Sequence, residues 1–135
     1  MPSVDIERLH DGFFNDPKTG WSAYPFMHGP SGRDADIRGV HVVAISPGQV
    51  RGNHYHEKTN ETLLVFSGRG VFYWEDGSGI SERVIDREPT LIRIPPGVRH
   101  AFRNIGDDTV YLLAVRDGEF DPDNPDVVRS EVVKP

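Results

Sequence analysis

The chain has 135 residues, a formal net charge of −6, no cysteine and 36% hydrophobic residues. The length fits one domain with a real core, and the missing cysteines exclude disulfides, thiolate metal sites and thiol catalysis. The acidic balance argues against nucleic acid, which needs a basic footprint.

No apolar run is long enough to span a membrane. Residues 1–11 carry charges without an apolar core, so no signal peptide is expected and the reading is a cytoplasmic protein. With 14 glycines and 11 prolines, turns are dense and the strands between them must be short.

Residues 1–37 read as an irregular arm. Turns are expected at Asn15-Asp16-Pro17, Lys18-Thr19-Gly20 and Gly29-Pro30-Ser31-Gly32. The arm also carries Phe13, Phe14, Trp21, Tyr24 and Phe26, which a polar linker would not need. It is expected to pack on its own barrel or on a partner subunit.

Strands are predicted over 40–46, 50–56, 62–67, 71–75, 81–86, 90–94, 99–104 and 109–116, separated by Gly/Pro turns. No window holds a helical period. The chain is therefore read as all-β, one domain with a barrel core at about 38–118 and a tail, 119–135, with a short edge strand over 127–133.

His54 and His56 stand at i and i+2 on a predicted strand, so their imidazoles share a face. Glu61 opens the next strand after a short loop, and His100 follows the Pro95-Pro96-Gly97 turn. Such a set of imidazoles and one carboxylate on an inner wall suits Mn, Fe, Co, Ni or Zn. A metal that prefers six ligands would keep open positions there for water or substrate.

The spacings resemble the two cupin motifs. Gly48, His54, His56, Glu61 and Gly68 fit Gly-x5-His-x-His-x4-Glu-x6-Gly. Pro95, Gly97, His100 and Asn104 fit Gly-x5-Pro-x-Gly-x2-His-x3-Asn, with Pro89 in place of the leading Gly. The resemblance implies a double-stranded β-helix, the jelly-roll or RmlC-like cupin barrel. It implies one divalent transition metal per chain (Zn, Ni, Fe or Mn), held by His54, His56, Glu61 and His100, and no organic cofactor. Asn104 is expected to brace a backbone turn.

Gly52 to Glu61 is similar to the metal segment of the C-terminal cupin domain of capsular-polysaccharide UDP-sugar epimerase/reductases, and Asp117 to Asp126 resembles that domain's acidic Asp-Pro segment. No segment here resembles the reductase part, and the family's N-terminal strand has no clear match. The resemblance implies an isomerase or epimerase acting on a carbonyl sugar or sugar nucleotide, a small-molecule partner, and a homodimer. Candidates for the general base are His41, Tyr73 and Tyr111. Two alternatives use the same site: an Fe(II)-dependent dioxygenase, with Arg51, Arg93 or Arg116 as a cationic substrate partner, and a non-catalytic metal-dependent binding protein.

Overall fold

The computed structural model describes residues 3–9, 13–26 and 37–135. Its strands are β1 (Asp5–Arg8), β2 (Phe13–Asp16), β3 (Gly20–Ala23), β4 (Gly39–Ile45), β5 (Val50–Tyr55), β6 (Glu61–Val65), β7 (Arg69–Asp76), β8 (Gly79–Asp86), β9 (Thr90–Ile94), β10 (His100–Asn104), β11 (Val110–Arg116) and β12 (Val128–Arg129). Every pairing is antiparallel. One five-stranded sheet runs β1-β9-β6-β11-β4 and the other β12-β5-β10-β7-β8. This is the expected jelly-roll. Among the described residues there is no helix, and so none long and apolar enough to cross a membrane.

The core lies between the sheets. Ile45, Leu63, Ile92, Ile94, Val110 and Leu112 come from one sheet, and Phe72, Ile85 and Phe102 from the other. Strand alternation sends Leu63 and Val65 inward and Leu64 outward. Leu64 is nevertheless buried, in a second cluster with Leu9 and Leu91 that Phe13 and Ala23 cover. The β6 run is therefore apolar on both faces because both faces are covered.

That cover corrects the reading of the arm as irregular. β1 pairs with β9 of the same chain and takes its place as the edge strand of that sheet. β2 and β3 form a hairpin, turned where Asp16 Oδ1 accepts the Lys18 N–H at 2.9 Å. The expected Gly29-Pro30-Ser31-Gly32 turn lies outside the described residues.

The edge strand expected over 127–133 shortens to two residues. Its backbone groups go instead to the Asn53 amide. Val132 and Val133 donate to Asn53 Oδ1 at 2.9 and 3.2 Å, and Asn53 Nδ2 donates to the Val133 carbonyl at 2.9 Å.

A bulge in β5 shapes the inner wall. His100 pairs with His54, but Ala101 pairs with Gly52, so Asn53 is an extra residue. Strict alternation would put Arg51 on the face opposite His54. The extra residue brings it back, opposite Phe102, onto the inner face. Gly52 permits this: its φ is +107°, and a Cβ there would lie 2.9 Å from Ala101 Cα and from the His100 carbonyl oxygen. Asn104, fully buried, ties its own turn as expected. Its Nδ2 donates to the Ile45 and Asp108 carbonyls at 2.8 and 2.7 Å, and its Oδ1 accepts the Gly106 N–H at 2.9 Å.

The outer cluster can be weakened without touching the inner face. Leu91→Ala, at a fully buried position, is expected to cost about 2–5 kcal/mol in urea unfolding. Metal content of the folded variant is expected to stay at the wild-type level, because Leu91 faces away from the barrel interior.

Candidate metal centre

Two neighbouring strands of one sheet and one strand of the other bring the four predicted residues together. His54 lies in β5, His56 just past its end, His100 opens β10 and Glu61 opens β6. His56, Glu61 and His100 are almost wholly buried. One nitrogen or oxygen from each of the four lies within 4.8 Å of the others.

The hydrogen bonds decide which atoms face inward. His56 Nδ1 lies 2.6 Å from the Asp126 carbonyl and His100 Nδ1 lies 3.0 Å from the Val98 carbonyl. A carbonyl only accepts, so each Nδ1 carries the proton and each neutral ring presents a bare lone pair at Nε2. Those atoms lie 3.4 and 3.5 Å from Glu61 Oε1, itself an acceptor. Glu61 Oε2 faces Arg116 Nη2 at 3.5 Å. With both rings neutral, three acceptors converge with no hydrogen between them, and protonating a ring would place one there. His56 Nε2 is buried without a hydrogen-bond partner.

Convergent lone pairs need a cation or a proton. For His56, burial opposes protonation, but the contact with Glu61 outweighs it and raises the pKa. Burial would raise the Glu61 carboxyl, yet His100 and His56 hold it well below the usual carboxylate range. Burial, reinforced by His100 and His56, pushes His54 down to about 4, so its ring is neutral at pH 7 and able to ligate. The donor set fits a divalent transition ion, borderline between hard and soft.

The cluster opens into a cavity of about 360 Å³, the size of a small-molecule site. Phe72 and Phe102 form an apolar part of its wall, and Arg51, Arg116 and Arg129 a cationic part. His41 lines it too. Partial burial lowers the His41 pKa, opposed by Glu61 and assisted by Arg116 and Arg51.

The other predicted residues lie elsewhere. Tyr73 and Tyr111 do not line the cavity: Tyr73 alternates outward from the inward Phe72, and Tyr111 is an exposed residue of β11. Arg93 turns to β1, where it meets Asp5 and Glu7 at 3.1 and 2.8 Å. Sequence reasoning missed Arg129 and Asp126. Asp126 bonds to the loop after His56, and these bonds outweigh its partial burial and hold its carboxyl at about 2. Nothing in the spacing separates Asp126 from the other acidic residues of the tail.

Comparison with known proteins matches residues 32–128 to the family described as the polysaccharide biosynthesis C-terminal domain. The UDP-2-acetamido-2,6-beta-L-arabino-hexul-4-ose reductase of Pseudomonas aeruginosa is 28% identical over 89 residues, which are 64% of this chain and 24% of that protein. The chain therefore spans about a quarter of that curated relative's length. The capsular polysaccharide assembling protein CapF from Staphylococcus aureus is 33% identical with a TM-score of 0.65, over 72% of this chain and 29% of CapF. QdtA, a sugar 3,4-ketoisomerase from Thermoanaerobacterium thermosaccharolyticum in complex with TDP, has a TM-score of 0.75 at 18% identity over 94% of this chain and 88% of QdtA, a likeness of fold. The family match takes in every strand that carries a member of the donor cluster, and the chain belongs to the polysaccharide biosynthesis C-terminal domain family, with a cupin fold.

Proposed function

We propose that this chain is a divalent-metal-dependent isomerase or epimerase of a carbonyl sugar carried on a nucleotide. The observation that carries the reading is the placement of the donor cluster in a ligand-sized cavity with His41 and three arginines on its walls. Family membership and the curated relative's name, a reductase of a UDP-linked hexul-4-ose, point to the same substrate class.

His54, His56, Glu61 and His100 would hold the ion. When bound, it supplies Lewis-acid polarisation of the substrate carbonyl, which lowers the barrier to losing a neighbouring C–H proton. Arg51 and Arg129 offer fixed positive charge for the phosphates. Phe72 and Phe102 keep that end of the cavity apolar and dry. His41 takes the proton at a ring nitrogen. A proton delivered to the opposite face of the same carbon, from solvent or a group across from His41, inverts it; a proton placed on the former carbonyl carbon, while the neighbouring hydroxyl proton passes to the former carbonyl oxygen, moves the carbonyl.

Elemental analysis of the wild-type protein is expected to give one transition ion per chain. His54→Ala and His100→Ala are expected to lose it while the barrel stays folded by circular dichroism, since an apolar core packs between the two sheets.

In deuterium oxide, a 4-keto sugar nucleotide is expected to gain solvent deuterium beside the carbonyl, read by NMR. No wash-in with any keto-sugar nucleotide sinks the proposal, and oxygen uptake by the iron-loaded protein selects the dioxygenase alternative instead. His41→Gln is expected to slow wash-in by about 10²–10⁴-fold.

The base must be neutral, and the folded-state pKa of His41 lies below the ordinary 6.5. Activity therefore persists as pH falls through 6.5 and is lost only on crossing the lower value. An acid limb of kcat/KM above 6.5 would remove His41 from this role.

A further inference from the structure

Asp126 lies in the tail, one chain segment away from β12 and far in sequence from the donor cluster. Yet one short loop bonds both of its carboxylate oxygens. Oδ1 accepts the Glu57 N–H at 2.7 Å. Oδ2 accepts the N–H groups of Lys58 and Thr59, each at 3.0 Å, and the Thr59 hydroxyl at 2.8 Å. Its main-chain carbonyl accepts the His56 Nδ1 proton at 2.6 Å.

The position of that loop matters. Residues 57–60 are the whole link between His56 and Glu61, so its path sets whether both side chains can reach one point. The far end is pinned separately, by Asp117 Oδ1 and Oδ2 on the backbone and side chain of Asn60 at 2.9 and 2.8 Å. His56 is pinned on its other side, where Gly97 N–H donates to its carbonyl at 2.7 Å. Among the described residues, the Asp126 carbonyl is the acceptor that holds the His56 Nδ1 proton.

We infer that Asp126 is a positioning residue of the metal centre: its carbonyl selects the His56 nitrogen that faces the cluster, and its carboxylate holds the loop that aims His56 and Glu61 at a common point. The inference rests on reading the cluster as a metal site. The two functions are mechanically joined, because the carboxylate anchors the same residue whose carbonyl meets the ring. An amide cannot replace it. Asn keeps one acceptor oxygen and turns an NH2 group toward N–H donors that need an acceptor.

The test uses the full chain and Co(II), with affinity read by chelator competition and ligand geometry by the visible absorption of the bound ion. Asp126→Ala and Asp126→Asn are expected to bind Co(II) about 10–100-fold more weakly, with an altered spectrum. Arg103→Ala serves as the control. It frees the tail's far end, where Arg103 bonds the Lys134 carbonyl, and touches neither loop nor ligand. It is expected to keep wild-type affinity and spectrum.

Wild-type affinity and spectrum in both Asp126 variants overturn the inference, as does an equal loss in R103A, which would make the effect one of general tail packing. If D126A does not fold, D126N and Thr59→Val decide, the latter removing a single bond from the clamp; unchanged binding in both overturns it. Wild-type protein that takes up no Co(II) refutes the metal reading itself, an outcome separate from the failure of Asp126 alone.

Discussion

Three buried atoms, His56 Nε2, His100 Nε2 and Glu61 Oε1, face one another inside the barrel, all of them acceptors when the two rings are neutral. Lone pairs gathered in a low-dielectric interior repel unless something positive stands among them. The fold around them holds that arrangement in place. Carbonyls from Asp126 and Val98 turn the two rings, and Arg116 takes the second oxygen of Glu61 so that the first stays free for the cluster.

Holding such a group steady requires both sheets. β5 and β10 present histidines from one, and β6 presents the carboxylate from the other, across a core of Leu63, Ile92, Phe72 and Phe102. The sheet that carries Glu61 is braced behind as well. The β2–β3 hairpin covers Leu64 and Leu91, and β1 pairs along β9. The tail does the same for the other sheet, hanging from Asn53 and laying Arg129 against the cavity. The cavity walls are drawn from His41 to Pro135, and the N-terminal strands brace them from behind.

Charge is distributed unevenly around the cavity of a protein whose net charge is −6. Arg51, Arg116 and Arg129 line it, while the acidic groups nearest the site are committed elsewhere: Asp126 and Asp117 to the loop, Glu61 to the donor cluster. An acidic protein with a basic pocket suits a small anionic ligand better than a polyanion, because the long-range field repels what the pocket attracts.

Much of this could be read from the chain. Two histidines at i and i+2 must share a face of a strand, and a Pro-Gly turn before His100 must end one strand and start another; both follow from local geometry. So do the strands over 90–94 and 109–116, whose apolar content and flanking turns are properties of a few neighbouring residues. Arg51 could not be placed this way, since its face depends on a one-residue bulge that exists only because Gly52 meets Ala101 across the sheet. Nor could the arm, whose strands form only because β9 and the Leu64–Leu91 surface stand ready to receive them. The sequence by itself determined that His54 and His56 share one face, because spacing along a strand is a local matter, and its motif spacings singled out Glu61 and His100 beside them. Only the tertiary structure decided which of the tail's acidic residues holds the loop and which nitrogen of His56 faces inward, because that contact joins residues 70 apart whose meeting no local period encodes.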